Sequence, residues 1–281
     1  MRSFLICTIS NKREQYEEMK SSFVQAGFDE ECCRYALFDN SCANAHDPYG
    51  TINKAVAEAT EPYVIFCHQD VLLDKGAGFD DLVKQLHALD ALDPRWAIAG
   101  NAGHTEDLAL IIKIDDPNGV HNNGQFPHKV YSLDENFFVI KTASALRCSS
   151  SLSGFHLYAT DLCLQAMSRD LSCYVLDFRL THLSAGNPES PDFYKALAAL
   201  KRHWNQSFTL CLIQSPCTFF YLSRSRIIRR LLWSARIMGW LRRHIGVYAQ
   251  AVKLKQRLRR MFRLLRPSPP PRLIQTERSG V

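Results

Sequence analysis

The sequence predicts an α/β protein in which helices cover a mostly parallel sheet. Over the first two hundred residues, short apolar segments typical of strands alternate with longer segments of helical spacing. The 281 residues are 46% hydrophobic and 22% charged, which is enough to bury one large core, or a main domain with an appendage. The composition therefore excludes a disordered or fibrous chain.

Each element follows from its local pattern. Residues 4–9 are an apolar run that predicts the first strand, and residues 14–25 form a helical segment that Gly27 ends. Thr160 is expected to be the N-cap of a later helix. Turn-forming residues at 115–119 and 122–124 separate strands. Further strands are predicted at 35–38, 63–67, 96–99, 108–114, 137–141 and 173–178, and further helices at 52–59, 79–89, 160–169 and 196–204.

The cysteines and the apolar segments indicate a location. Ten cysteines lack the paired spacing of a zinc ribbon or a disulfide framework, and several lie inside apolar runs. They are expected to be reduced core residues. The apolar run at the N-terminus is too short for a signal peptide, and no uninterrupted run reaches the ~18 residues of a spanning helix. We expect a cytoplasmic protein.

Charge is divided unevenly along the chain. Residues 201–281 contain 18 Lys and Arg and one acid, whereas residues 1–200 contain 16 basic and 27 acidic residues. From Val247 onward, apolar residues recur at helical intervals among lysines and arginines, which predicts an amphipathic basic helix. We expect a globular domain at 1–206, a basic helical tail at 207–266 and a disordered Pro-rich C-terminus at 267–281.

The basic tail has three interpretations. A basic amphipathic helix can lie on an anionic membrane, pack on the globular domain, or bind nucleic acid. No base-reading motif or Gly-rich basic repeat is present, so nucleic acid is not expected as a partner. Membrane contact is the preferred interpretation, which would place the protein at the inner face of the cell membrane.

The triplet His68-Gln69-Asp70 follows the apolar run 63–67 directly. Side chains two residues apart on an extended chain face the same side, so His68 and Asp70 can share a ligand while Gln69 points away. Open α/β sheets bind ligands at the carboxyl ends of their strands. Taken alone, the triplet can equally be the solvated start of a loop.

Several motifs occur in a characteristic order. Asp39 ends the second strand, and His68-Gln69-Asp70 ends the third. Next come Leu133-Asp134-Glu135, then Gly154-Phe-His-Leu-Tyr-Ala-Thr-Asp161, then His182. This order resembles the family 2 glycosyltransferases of the GT-A fold, and particularly the bacterial branch whose metal-site triplet is His-Gln-Asp. The resemblance covers roughly residues 1–205 and implies a nucleotide-binding sheet flanked by helices, with the basic tail outside it.

The resemblance implies a nucleotide-diphosphate sugar donor and a divalent cation. Asp70 and His182 match the family's metal ligands, and a mixed imidazole and carboxylate set suits Mn²⁺ somewhat better than Mg²⁺. His68 departs from the usual first acid and is expected to contact the donor. Asp39, with Thr8 and Ser10, is expected to line the nucleotide site, although Asp39 can equally start an Asx-turn.

The resemblance also implies which residues carry out transfer. Asp161 matches the family's catalytic acid position, where it would take the proton of the acceptor hydroxyl; an acid in a first helical turn is also common for stability alone. The residues expected on the acceptor side are Asp134, Glu135, His156 and Tyr158. His104, His121 and His128 show no ligand spacing and are expected at the surface.

These inferences predict an inverting, metal-dependent glycosyltransferase that acts on a hydroxyl of a glycan or lipid-linked acceptor in bacterial surface polysaccharide assembly. A nucleotidyltransferase is one alternative, but Ser10-Asn-Lys-Arg13 lacks the glycines of a phosphate loop. A catalytically inactive membrane-binding scaffold is the other. The departure at His68 is compatible with such a scaffold.

Overall fold

The computed structural model describes residues 2–184, 190–232, 244, 246–252 and 254. Its strands are β1 (Phe4–Ser10), β2 (Cys33–Asp39), β3 (Tyr63–Cys67), β4 (Val71–Leu72), β5 (Trp96–Gly100), β6 (Ala102–His104), β7 (Leu110–Asp116), β8 (Gly119–Asn123), β9 (His128–Val130), β10 (Ser132–Leu133), β11 (Phe137–Lys141), β12 (Ser172–Val175), β13 (Leu180–His182), β14 (Cys211–Gln214) and β15 (Phe219–Leu222). Its α-helices are α1 (Arg13–Gln25), α2 (Pro48–Glu58), α3 (Phe79–Leu92), α4 (Tyr158–Ser168), α5 (Pro191–Trp204) and α6 (Arg226–Leu232).

The main sheet has seven strands in the order β2-β1-β3-β11-β5-β12-β9. Strand β1 pairs in parallel with β2 and with β3, so the carboxyl ends of the first three strands meet at one edge. Strand β11 is inserted antiparallel between β3 and β5. Both faces of the sheet are buried, which explains why β3 and β5 are continuously apolar. The predicted α/β class is confirmed.

A second sheet brings a distant segment to this edge. Its strands follow the order β10-β6-β7-β13-β4. Strand β13 runs antiparallel to β4, with His182 opposite Val71. Because Val71 follows Asp70 directly, this pairing sets His182 beside the end of β3. The backbone N–H of Leu183 donates to the carbonyl of Asp70 at 2.9 Å and fixes the register.

Helix α4 starts two residues before the position expected from the sequence. Tyr158 is its first residue, and Leu157 precedes it with φ of 66°, in the left-handed region. Thr160 therefore lies inside the helix, and the prediction of Thr160 as N-cap is wrong. Eight of the eleven residues of α4 are buried, so the helix is a core element.

The other boundaries differ mainly at element ends. Helix α5 begins at Pro191, because the Ser190 side chain accepts from the Phe193 N–H and caps it. The turn expected at 122–124 is instead the end of β8, which pairs with β7 through Asn123. Most of β8 is exposed on both faces, so its sequence lacks the apolar and polar alternation by which a half-buried strand is recognised.

The region after residue 206 does not begin as a helix. Strands β14 and β15 form an antiparallel hairpin, so the helical tail prediction is wrong for residues 211–222. Leu108, Leu212, Phe219 and Tyr221 form a small separate core, against which Leu232 and Tyr248 pack. Residues 246–252 are helical, whereas the rest of the expected amphipathic helix and the Pro-rich segment 267–281 lie outside the described residues. None of the described helices is long and apolar enough to cross a membrane.

Candidate functional site

A cavity of about 300 Å³ lies at the carboxyl ends of β1, β2 and β3, and we call it the strand-end cavity. It is the position where parallel α/β sheets hold ligands. The residues around it combine amides, a carboxylate and an imidazole with apolar side chains. They are Ile9, Asn11, Asn40, Asn44, Pro48, Phe66, Cys67, His68, Gln69, Asp70, Phe155 and Tyr158.

Gln69 ties the end of β3 to the loop after β1. Its Oε1 accepts from the Ser10 hydroxyl at 2.6 Å and from the backbone N–H groups of Asn11 at 3.0 Å and Lys12 at 3.1 Å. Its Nε2 donates to Asn11 Oδ1 at 2.9 Å. Gln69 thus points away from His68 and Asp70, as expected, and shapes the wall of the strand-end cavity.

His68, Asp70 and His182 form a group that can hold a metal ion. One ligand atom from each of the three side chains lies within 4.8 Å of the other two. No other group of three or more His, Cys, Asp or Glu side chains among the described residues meets this distance. His182 Nε2 lies 3.4 Å from Asp70 Oδ1, and the two imidazole ring centroids are 5.6 Å apart. The structure thus places His68, which was expected to contact the donor, together with the two expected ligands.

Neighbouring charges set the protonation of this group. Burial opposes ionisation of Asp70, but hydrogen bonding and charge from His182, and the charge of His68, outweigh it and lower the pKa of the Asp70 carboxyl. Burial likewise opposes protonation of His182, yet Asp70 raises the pKa of its imidazole. Burial, and then the charge of His182, lower the pKa of His68. These directions favour an anionic Asp70 and a neutral His68, which are the forms that bind a cation.

The donor set fits a divalent metal. Two imidazoles and one carboxylate provide three ligands and leave further positions for oxygen atoms of a substrate or water. Tyr158 Oη lies 2.8 Å from Nε2 of His68, so the phenol holds the orientation of that ring. Mn²⁺ accepts this mixed set more readily than Mg²⁺, which prefers oxygen.

Two residues expected at the nucleotide site point elsewhere. Thr8 and Ser10 are 1% and 3% exposed; Thr8 contacts Cys67 Sγ, and Ser10 bonds to Gln69. The neighbouring residues Ile9 and Asn11 line the strand-end cavity instead. Strand side chains alternate between faces, so Thr8 and Ser10 lie on the face of β1 opposite to Ile9.

Asp39 also lies off the strand-end cavity. Its Oδ1 accepts from the Ser41 N–H at 2.7 Å, which is the Asx-turn that the sequence left as an alternative. The next residue, Asn40, lines the cavity. Both ends of the Asn40 amide bond to the backbone of His46: Nδ2 donates to its carbonyl, and Oδ1 accepts from its N–H.

A second cavity of about 480 Å³ adjoins the metal group, and we call it the hairpin cavity because Ser215–Cys217 of the β14–β15 turn form one wall. His68 and Phe155 line both cavities, and His182 lines the hairpin cavity. A ligand in the strand-end cavity and one in the hairpin cavity would therefore meet at His68.

The residues expected on the acceptor side are divided between the two cavities. Asp134, Glu135 and His156 line the hairpin cavity, whereas Tyr158 lines the strand-end cavity. Asp134 Oδ1 accepts from the backbone N–H and from the side-chain Nδ2 of Asn136. Burial, and then the charge of Asp134, raise the pKa of Glu135 to about 8.

Asp161, the predicted catalytic residue, lies in the core and on neither cavity wall in this structure. Its side chain is 0% exposed. Oδ2 accepts from the Ser149 N–H, and Oδ1 accepts from the Ser149 hydroxyl and from Trp204 Nε1, each at 2.7 Å. All of these donors stabilise a carboxylate that links α4 to α5.

His104 was expected at the surface but is 8% exposed and lines the hairpin cavity. Burial lowers the pKa of His104 to about 4. Its position on β6 was hidden because three-residue strands carry too little alternation to identify. His121 is partly exposed beside Asp116, at 3.2 Å, and His128 lies on β9.

Comparisons with solved structures give similarities of fold at low identity. S. aureus TarS in complex with UDP-GlcNAc is 14% identical with a TM-score of 0.48, over 72% of this chain and 66% of that chain. GalNAc-T7 with UDP, GalNAc and Mn²⁺ is 6% identical with a TM-score of 0.49, over 73% and 48%. The mannosyltransferase PcManGT from Pyrobaculum calidifontis, in complex with GDP-Man and Mn²⁺, is 10% identical with a TM-score of 0.44, over 74% and 64%. This chain spans about half to two thirds of the length of these proteins.

Sequence comparison gives a nearer relative. No protein-family model matches the chain. It is 33% identical over 187 residues to the "ATP synthase subunits region ORF 6" protein of Fuscovulum blasticum, a match that covers 64% of this chain and 74% of that protein. The chain therefore belongs to the same family as the ATP synthase subunits region ORF 6 protein of Fuscovulum blasticum.

Proposed function

We propose that the protein is a metal-dependent glycosyltransferase that moves a sugar from a nucleotide-diphosphate sugar to a hydroxyl of a glycan or lipid-linked acceptor. The observation that carries the proposal is the group His68, Asp70 and His182, which lies where two cavities meet. A donor and an acceptor need two adjoining sites with a charge-stabilising centre between them. This arrangement supports transfer between two bound substrates.

The strand-end cavity suits the nucleotide half of the donor. Asn11, Asn40 and Asn44 supply hydrogen-bonding amides, and Ile9 and Pro48 supply apolar contact. Asp70 and the two histidines would hold the divalent cation, which would supply the positive charge that neutralises the diphosphate. The residues proposed for donor binding are thus Asn11, Asn40 and His68 rather than Thr8, Ser10 and Asp39.

We also propose that the protein acts at the inner face of a bacterial cell membrane in surface polysaccharide assembly, with inversion at the anomeric carbon. Support for membrane contact comes from α6, where Ile227 and Leu231 are 74% and 57% exposed. Arg226 and Arg230 lie on the same short helix. Apolar side chains beside arginines suit the interface of an anionic lipid surface.

Calorimetric titration with UDP and GDP, with and without Mn²⁺, tests the enzyme proposal. We expect one nucleotide to bind only in the presence of metal, and Asp70→Ala to lose that binding. Asp74→Ala is the matched control, because Asp74 is partly exposed and bonds to the Thr181 hydroxyl and to Lys75. Nucleotide affinity that is equal with and without Mn²⁺, or that is unchanged in Asp70→Ala, would contradict the proposal.

A further inference from the structure

Transfer to a hydroxyl requires a group that takes the hydroxyl proton as the acceptor oxygen attacks. Asp161 does not meet this need, since its carboxylate is enclosed by Ser149 and Trp204 and reaches neither cavity. The base must instead be on a wall that a bound acceptor can touch, close to the metal group. The hairpin cavity provides that wall.

Three carboxylates line the hairpin cavity: Asp116, Asp134 and Glu135. Asp116 Oδ1 accepts from the Asn118 N–H at 2.7 Å and contacts His121 at 3.2 Å. Asp134 Oδ1 already accepts two hydrogen bonds from Asn136. Glu135 differs, because its Oε1 is shielded from solvent and has no hydrogen-bond partner among the described residues.

An enclosed carboxylate oxygen without a donor is costly, because a buried acceptor loses its hydrogen bonds to water. A ligand hydroxyl in the hairpin cavity would supply the missing donor. The backbone N–H groups of Tyr158, Ala159 and Leu157, at the start of α4, face the same carboxyl group. They favour its anionic form.

The other titratable groups whose charges interact with Glu135 are Asp134, Tyr49, Tyr158, Cys148 and Cys217. Burial and the charge of Asp134 make Glu135 more basic than a solvated glutamate. A carboxyl group whose pKa lies near neutrality is a more effective proton acceptor than a strongly acidic one.

Glu135 is also connected to the metal group. The Tyr158 hydroxyl lies 2.8 Å from His68 Nε2 and donates to the Glu135 carbonyl at 3.3 Å. The backbone N–H of His68 donates to the carbonyl of Asn136, the next residue, at 2.9 Å. These bonds fix the Glu135 segment beside the end of β3, where the donor diphosphate would be held.

We propose that Glu135 is the general base of the transfer, with Oε1 as the atom that receives the proton; this inference rests on the proposed glycosyltransferase function. In the step, the acceptor O–H bond breaks and its proton moves to Oε1. The acceptor oxygen forms a bond to the anomeric carbon. The bond from that carbon to the diphosphate breaks, and its electron pair leaves with the diphosphate oxygen.

The test compares the full-length protein with Glu135→Gln, a variant of equal size, in two assays. The first is Mn²⁺-dependent binding of UDP and GDP. The second is release of the nucleotide from the matching nucleotide sugars, with water and octyl glycosides as acceptors. We expect Glu135→Gln to bind nucleotide within about twofold of wild type, and to release it about 10²- to 10⁴-fold more slowly. Glu58→Gln, an exposed change on α2, should match wild type in both assays.

A second variant separates chemistry from packing. In Glu135→Ala, added formate should restore part of the lost release rate, because a small carboxylate can occupy the space that the side chain leaves. Release at the wild-type rate by Glu135→Gln would overturn the assignment of Glu135. Unchanged nucleotide release by Glu135→Gln, together with slower release by Asp134→Asn, would assign the base to Asp134 instead. Absence of metal-dependent nucleotide binding in the wild-type protein would instead overturn the proposed function itself.

Discussion

The indole Nε1 of Trp204 donates to Oδ1 of Asp161 at 2.7 Å, and this bond joins the last residue of α5 to the first turns of α4. Ser149 donates twice to the same carboxylate. Burial raises the pKa of Asp161 while these hydrogen bonds lower it. A buried carboxylate with several donors stabilises the packing of the elements that supply them.

Asp161→Asn should therefore lower stability rather than remove chemistry. An asparagine amide would set its Nδ2 against a donor of Ser149 or Trp204, which leaves buried donors without an acceptor. We expect a loss of about 1–3 kcal/mol in the free energy of unfolding, measured by urea denaturation. Asp192→Asn is the control, because Asp192 is an exposed residue of α5 that pairs with Lys195. A fully stable but inactive Asp161→Asn would restore Asp161 as a catalytic candidate.

Gln69→Ala should loosen the wall of the strand-end cavity. The substitution removes an acceptor shared by the backbone N–H groups of Asn11 and Lys12 and by the Ser10 hydroxyl, and leaves Lys12 with its contact to Ser10. We expect faster hydrogen exchange at the amides of residues 11 and 12, a stability loss of about 1–2 kcal/mol and weaker nucleotide binding. Gln25→Ala, at an exposed position of α1, should change none of these. Unchanged exchange at both amides would show that Gln69 does not hold the loop.

Much of the edge of the sheet could be predicted from the sequence. The short apolar run 63–67 and the polar triplet after it predict a buried strand that ends at Cys67, and β3 is buried along all five of its residues. His182 was found through the order of motifs. Its pairing opposite Val71 depends on an antiparallel contact across more than one hundred residues, which no local pattern contains.

The differences between expectation and structure have physical causes of the same kind. Thr8 and Ser10 were expected on the cavity wall because they are the polar residues at the end of β1, and the sequence alone does not show which face of the strand meets the ligand. Asp161 was assigned to catalysis from its motif, and no local pattern predicts its bond to Trp204, which lies 43 residues away in the chain. Helix α4 also starts early because Leu157 adopts the left-handed conformation, which is unusual for a branched apolar residue. Nothing in the local sequence predicts that conformation.

Metal affinity should depend on pH through His182. Asp70 raises the pKa of His182, so in the metal-free protein the imidazole keeps its proton at higher pH than an ordinary histidine. A cation must displace that proton, and Mn²⁺ affinity should therefore fall as the pH drops below this raised value, by up to about tenfold per pH unit for one proton. Calorimetry in two buffers of different ionisation enthalpy measures the protons released.

The variant His182→Gln should bind Mn²⁺ more weakly and should lose most of the pH dependence. His121→Gln, which changes a histidine outside the metal group, should behave as wild type. Mn²⁺ binding of equal strength at low and high pH would contradict a role for His182 as ligand.

Membrane contact should depend on the exposed apolar side chains of α6. Deletion from Arg224 onward is a poor test, because Leu232 and Tyr248 pack against Leu212 and its neighbours, and their removal would expose that small core. The double variant Ile227→Ser and Leu231→Ser alters exposed side chains alone. Burial of an apolar side chain of this size contributes about 1.5–3 kcal/mol, so sedimentation with anionic vesicles should weaken at least about tenfold. Leu92→Ser changes an equally exposed apolar residue on α3 and should leave sedimentation unchanged; equal sedimentation of wild type and the double variant would exclude α6 as the contact.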